Sequence, residues 1–130
     1  MNIEELKSKW GGTLPQVGDW ATNPQIKNQA QMAEVDLYHA RLFYDLASPI
    51  PLTREVFSKI EEVETSPYRC LQGQLFLTYE LDIRILGYEC FVFGFDHQAR
   101  DHPQKKIKYL HQLQQLCRFF HEGKELTYEP

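Results

Sequence analysis

Cysteine is scarce in this 130-residue chain: Cys70, Cys90 and Cys117 form no CxxC pair and are odd in number. Each stands among apolar neighbours, where a free thiol behaves as a small hydrophobe. A reducing, cytoplasmic setting without structural disulfides is therefore expected. The start, Met1-Asn2-Ile3-Glu4-Glu5, has neither a basic region nor an apolar run, and no secretory signal is read in it. The densest apolar stretch, 75–95, is interrupted by Glu80, Asp82, Arg84 and Glu89, charges that a membrane helix would have to bury. There is no internal repeat and no low-complexity segment.

Motifs with a chemical mechanism are absent as well. The sequence contains no GxGxxG, P-loop, GxSxG or HExxH, and His121-Glu122-Gly123 lacks a second histidine. Glu80 and Asp82 share one strand face, but Arg84 follows on it, so an exposed ion-pair ladder is preferred to an acid/base dyad. A Cys–His nucleophile built on Cys90 or Cys117 is opposed by apolar burial, which raises a thiol's pKa. His97, His102, His111 and His121, with Cys117, match no standard zinc spacing, and Cys117 lies in an apolar stripe. They are read as surface histidines around a core cysteine. No metal, cofactor or catalytic residue is assigned, and an enzyme with an unrecognised His/carboxylate site ranks last among three readings.

What is present is enough to build a core. The chain is 42% hydrophobic and 13% aromatic, and at this length one domain spanning 1–130 is expected. Asn2 with Glu5 forms a capping box and Gly11-Gly12 a stop, giving a short helix followed by a loop arm to residue 22. Asn23-Pro24 reads as a helix start and Ser48-Pro49 as its end, predicting a long central helix over 24–47. That helix is apolar on two sides. Ile26, Ala30, Ala33, Leu37, Ala40, Tyr44 and Ala47 line one seam; Val35, Leu42, Phe43 and Leu46, with Met32, line another. Burial of both seams within the same chain is the favoured account. Thr53 caps a further helix, with Leu52 and Phe57 as a hydrophobic staple and Ser66-Pro67 as its end. Period-two alternation then predicts an antiparallel meander of two to three strands over roughly 68–96. Pro103 opens a C-terminal helix over 103–122 with Tyr109, Leu110, Leu113, Leu116, Cys117 and Phe120 on one stripe, and 124–130 is expected as a frayed tail. The predicted class is α+β, with three to four helices packed on a small antiparallel sheet.

Function is then expected to reside in surfaces. The segment 97–118 sets Arg100, Lys105, Lys106, Lys108 and Arg118 against Asp101 alone, a local charge of +4 in a chain of net −4. Placed at a helix start, where the macrodipole disfavours cations, Lys105, Lys106 and Lys108 suggest an orienting role toward a partner. Trp20, in a turn-rich loop, and Phe119, off the main stripe of the last helix, are candidate anchors. The expected protein is a small cytoplasmic, bacterial or phage-type module that binds another protein, or a second copy of itself as a homodimer. Its candidate contacts are Trp20, Arg100, Lys105, Lys106, Lys108 and Phe119. The alternative is a nucleic-acid-associated regulator using the basic segment, disfavoured by the acidic total; no membrane partner is expected.

Overall fold

The computed structural model describes residues 2–23, 28–31, 44, 46–63, 71–77, 81–86, 89–95, 101–121 and 124–130. They form α1 (Ile3–Lys9), β1 (Trp20–Asn23), β2 (Asn28–Gln31), α2 (Arg54–Ser58), β3 (Leu71–Phe76), β4 (Leu81–Leu86), β5 (Glu89–Phe95), β6 (Asp101–Ile107) and α3 (Leu110–Phe120). The chain divides into two compact units, the first made of 1–51 and 109–115 and the second of 52–108 and 116–130.

The fold is α+β, but its balance differs from the expectation. The described helices have 7, 5 and 11 residues, while the sheet has four antiparallel strands in the order β3-β4-β5-β6. Strands dominate; three to four helices packed on a small sheet is not the architecture.

In the first unit, the predicted Asn2 cap forms: Asn2 Oδ1 accepts from the Glu5 amide at 2.9 Å, while the Glu5 carboxylate takes the Asn2 side-chain amide at 3.2 Å. Gly11 and Gly12 take positive φ of 75° and 95° just past the end of α1, as a glycine stop requires. The long helix 24–47 does not form as predicted. Asn28–Gln31 is a strand, paired antiparallel to Trp20–Asn23 with Asn23 opposite Asn28. The misleading signal was Asn23-Pro24, which is also a turn-starting dipeptide whose first residue is pushed to extended geometry; here Asn23 closes a ladder. Tyr44 and Leu46 are helical, and the rest of the two-sided pattern between 32 and 43 lies outside the described residues. Ser48 pairs with Thr22, and Ile50 accepts the amide of Leu110 at 2.9 Å. Trp10, Ala21 and Ala47 form a buried cluster with Leu14 against it.

In the second unit, Thr53 caps α2 as predicted, its side chain accepting from the Val56 amide, with the staple residues Leu52 and Phe57 both buried. The helix stops at Ser58, well before 66, because Ile60 joins a bridge to Tyr128. Residues 124–130, expected as a frayed tail, are held by that bridge. Glu61 and Glu129 amides donate to Thr127 and Lys59 carbonyls, and Leu126 and Tyr128 are buried.

The sheet extends beyond the predicted 68–96 because β6 occupies 101–107, where the sequence predicted the start of a 103–122 helix. Pro103 lacks an N–H and therefore suits an edge strand or bulge. It sits opposite Phe93, beside a register shift in the last strand of the order. The helical period in fact starts at Tyr109, and α3 runs only from Leu110 to Phe120. Cross-strand register sorts the two faces. Leu75, Ile83, Ile85, Cys90, Val92 and Ile107 share one, all buried; Gln74, Phe76, Asp82, Arg84, Phe91, Phe93 and Lys106 share the other.

Candidate functional site

The expected contact residues are spread over both units. Trp20 lies in β1 of the first, half-buried, its amide donating to Gln114 Oε1 at 2.9 Å. Lys105 and Lys106 are exposed on β6 of the second unit, and Lys106 Nζ lies 2.7 Å from Glu89 Oε1. Adjacent strand residues point to opposite faces, so these two cannot form one basic patch. Their argued misplacement at a helix N-terminus also disappears, since both are in a strand. Lysines along an edge strand discourage pairing with another chain. Lys108 is exposed between β6 and α3, its carbonyl accepting the Leu52 amide. Arg100 lies outside the described residues, as do Ala33 and Ala40 of the alanine seam.

Phe119 is the outlier. It lies on α3 in the second unit, is 80% exposed, and meets Phe120 edge-on with ring centroids 5.1 Å apart. Phe76, at the end of β3, is 49% exposed. It lines a groove of about 260 Å³ with Leu75, Cys117, His121, Glu125 and Leu126. Three of the groove's polar side chains are committed to the fold. Glu62, also at its wall, accepts the Thr127 amide with both carboxylate oxygens, at 2.9 and 3.0 Å. Glu125 pairs with Arg118 at 2.6 Å, and His121 Nε2 contacts the Phe76 carbonyl at 3.2 Å.

The thiols of Cys90 and Cys117 are poor nucleophiles. Burial pushes both Cys90 and Cys117 up to about 12, far above the range in which a thiolate forms at neutral pH. Among the described residues, no three His, Cys, Asp or Glu side chains gather to hold a metal ion. The predicted ladder around Asp82 is not exposed. Asp82 is buried, with Arg84 Nε at 2.6 Å from its carboxylate and Gln74 Nε2 donating to the same oxygen. The Arg84 guanidinium lies 4.5 Å from the Phe93 ring centre, so one cation satisfies a buried carboxylate and covers an aromatic face.

The sequence reading missed a second polar array, in the first unit. There the first turns of α3 hold the segment 10–20 by its backbone. His111 Nε2 lies 3.0 Å from the Trp10 carbonyl and 2.7 Å from that of Thr13. Gln112 Nε2 donates to Gly11, Gln114 Nε2 to Gly18 and Gln115 Nε2 to Leu14. Gln115 also reaches Asp19 Oδ2 at 2.8 Å, which accepts the Gln16 amide as well. Two acceptors on His111 Nε2 mean that this nitrogen carries the proton. The ring stands edge-on to Trp10 and stacked on Tyr109, 5.5 and 5.9 Å away. A signal was available: Leu110, Leu113, Gln114 and Cys117 follow the i, i+3, i+4, i+7 spacing, which puts a glutamine inside the apolar arc.

No family model matches the chain, and neither a curated protein nor a solved structure matches it.

Proposed function

We propose that this chain is a protein-binding module that acts by surface contact, with Phe119 as an anchor of its interface. The observation that carries this reading is the exposure of Phe119, 80% on a regular helix. A phenylalanine there gives the helix no propensity advantage over Ala, Lys or Glu, and aromatic residues are enriched in protein interfaces. The reactive side chains support the same reading from the other direction. Cys90 and Cys117 are held as thiols, His111 is bound to two carbonyls, and Glu62 and Glu125 serve the tail and Arg118. No helix among the described residues is long and apolar enough to cross a membrane.

The test is an affinity capture from native cells with three baits: wild type, Phe119→Ser, and Val17→Ser as an exposed apolar control from the first unit. A stoichiometric partner should be retained by wild type and Val17→Ser and lost by Phe119→Ser, with the circular dichroism of all three unchanged. A partner held equally by Phe119→Ser would remove Phe119 from the interface. Recovery of nucleic acid alone, released by moderate salt, would replace the reading altogether.

A further inference from the structure

We propose that His111 makes the seating of segment 10–20 on α3 sensitive to acid, so that this part of the first unit loosens when the ring takes a second proton. The geometry sets this up. The ring is fully buried, and its Nε2–H is shared between the Trp10 and Thr13 carbonyls. Nδ1 has no hydrogen-bond partner among the described residues. As a bare lone pair in a neutral ring, Nδ1 is tolerable. Once protonated it becomes a buried charged donor with no acceptor, which is among the costlier arrangements in a protein interior. The ring can relieve this only by reaching water, and in leaving it gives up both carbonyls that fix the turn after α1.

Among the described residues, Asp19 acts on the ring and Tyr109 stacks on it; farther out, Lys9 lies over the Trp10 ring and Tyr44 accepts the Trp10 indole N–H on its carbonyl. Asp19 favours the imidazolium, as do the two carbonyls. Burial acts against it as the largest influence, and the net effect lowers the His111 pKa below its ordinary 6.5. The sign of the pH dependence follows. The unfolded chain takes up the proton near 6.5 and the folded chain only at lower pH, so folded stability is full above 6.5. It falls as pH drops from there toward the folded value. The proposal is independent of the contact surface at Phe119.

The experiment follows the intact protein by NMR, reading the His111 ring and the backbone-amide protection of residues 11–20 from about pH 7.5 down to about 4.5, so that the window reaches well below the ordinary histidine range. The expected ring is the Nε2–H tautomer, uncharged at 6.5, with protection of 13–20 falling about tenfold or more as it protonates. His111→Gln, whose amide nitrogen can reach the same carbonyls, should hold protection constant across the window. A ring that protonates at any pH with protection unchanged, or that stays neutral throughout the window, would overturn the proposal, as would an equal pH response in His111→Gln. If the variant fails to fold, the ring titration in the unaltered chain still decides.

Discussion

In the sheet β3–β6 the backbone is its own hydrogen-bond partner, whereas segment 10–20 takes its partners from side chains of α3. Antiparallel pairing satisfies amides and carbonyls whatever side chains they carry. Among the described residues, those from 10 to 19 join no ladder, and Trp20 alone of the segment is paired, opposite Gln31. The segment's carbonyls at Trp10, Gly11, Thr13, Leu14 and Gly18 go to His111, Gln112, Gln114 and Gln115. Buried polar backbone must be paired in either case. The difference is in fragility: a ladder survives many single substitutions, while the segment depends on individual residues of α3.

The strongest way to break the comparison is to attack apolar packing, on which both regions depend. Trp10→Ala should cost about 3–5 kcal/mol and Ile83→Ala about 2–5 kcal/mol in denaturant titration, since both side chains are 0% exposed. The sharper contrast is polar. Gln114→Leu takes its acceptor from the Trp20 amide and removes one of the two side-chain amides on the Gly18 carbonyl, which keeps Gln31 Nε2, an expected loss of about 1–3 kcal/mol. Glu89→Gln, removing an exposed ion pair above intact ladder bonds, should cost less than about 1 kcal/mol. Equal losses would mean that the side-chain array is no more critical than a surface pair.

A finer test uses the two glycines after α1. Both have positive φ, so either alanine carries left-handed strain of about 1–2 kcal/mol. At Gly12 nothing lies within 4 Å of an added Cβ. At Gly11 it would sit 2.8 Å from two Tyr109 ring carbons and 3.1 Å from Gln112 Nε2, displacing the ring stacked on His111. Gly11→Ala should therefore lower the melting temperature more than Gly12→Ala and alone increase amide exchange in 11–20.

What could be read from the sequence was chemistry confined to a few residues. The caps at Asn2 and Thr53 each need only a side chain and an amide three positions on, and both form. Asn23-Pro24 and Pro103 carry two meanings, helix start or strand boundary, and only the pairing partner decides between them. Those partners, Asn28 and Phe93, are remote in kind if not in distance. Phe91 and Phe93 on the polar sheet face obey alternation while appearing to break it, because Arg84 lies over one ring and the two rings meet edge-on at 6.3 Å. Glutamine is the least legible residue of all. It is a good helix former that suits solvent, so the inward role of Gln114 and Gln115 depends on a segment nearly a hundred residues away. Among the contact candidates, Phe119 stood out by its position off the helical stripe, and its exposure agrees with that position. For the basic segment only the helix-start argument falls away, because Lys105 and Lys106 lie in β6.

The smallest expected effect on stability concerns those lysines and carries the largest expected effect on solubility. Lys105 and Lys106 are exposed on β6, which with β3 ends the strand order, and Pro103 interrupts the same strand's donors. Replacing both lysines with threonine removes one exposed ion pair and improves β-propensity, so unfolding free energy should move by less than about 1 kcal/mol. The outer backbone of β6, however, loses the charges that keep a second sheet edge away. Static light scattering at rising concentration should show self-association in the double variant and none in Glu89→Gln, which keeps both lysines. If the double variant stays as dispersed as wild type, edge protection rests on the proline and its bulge, and the two lysines serve a partner instead.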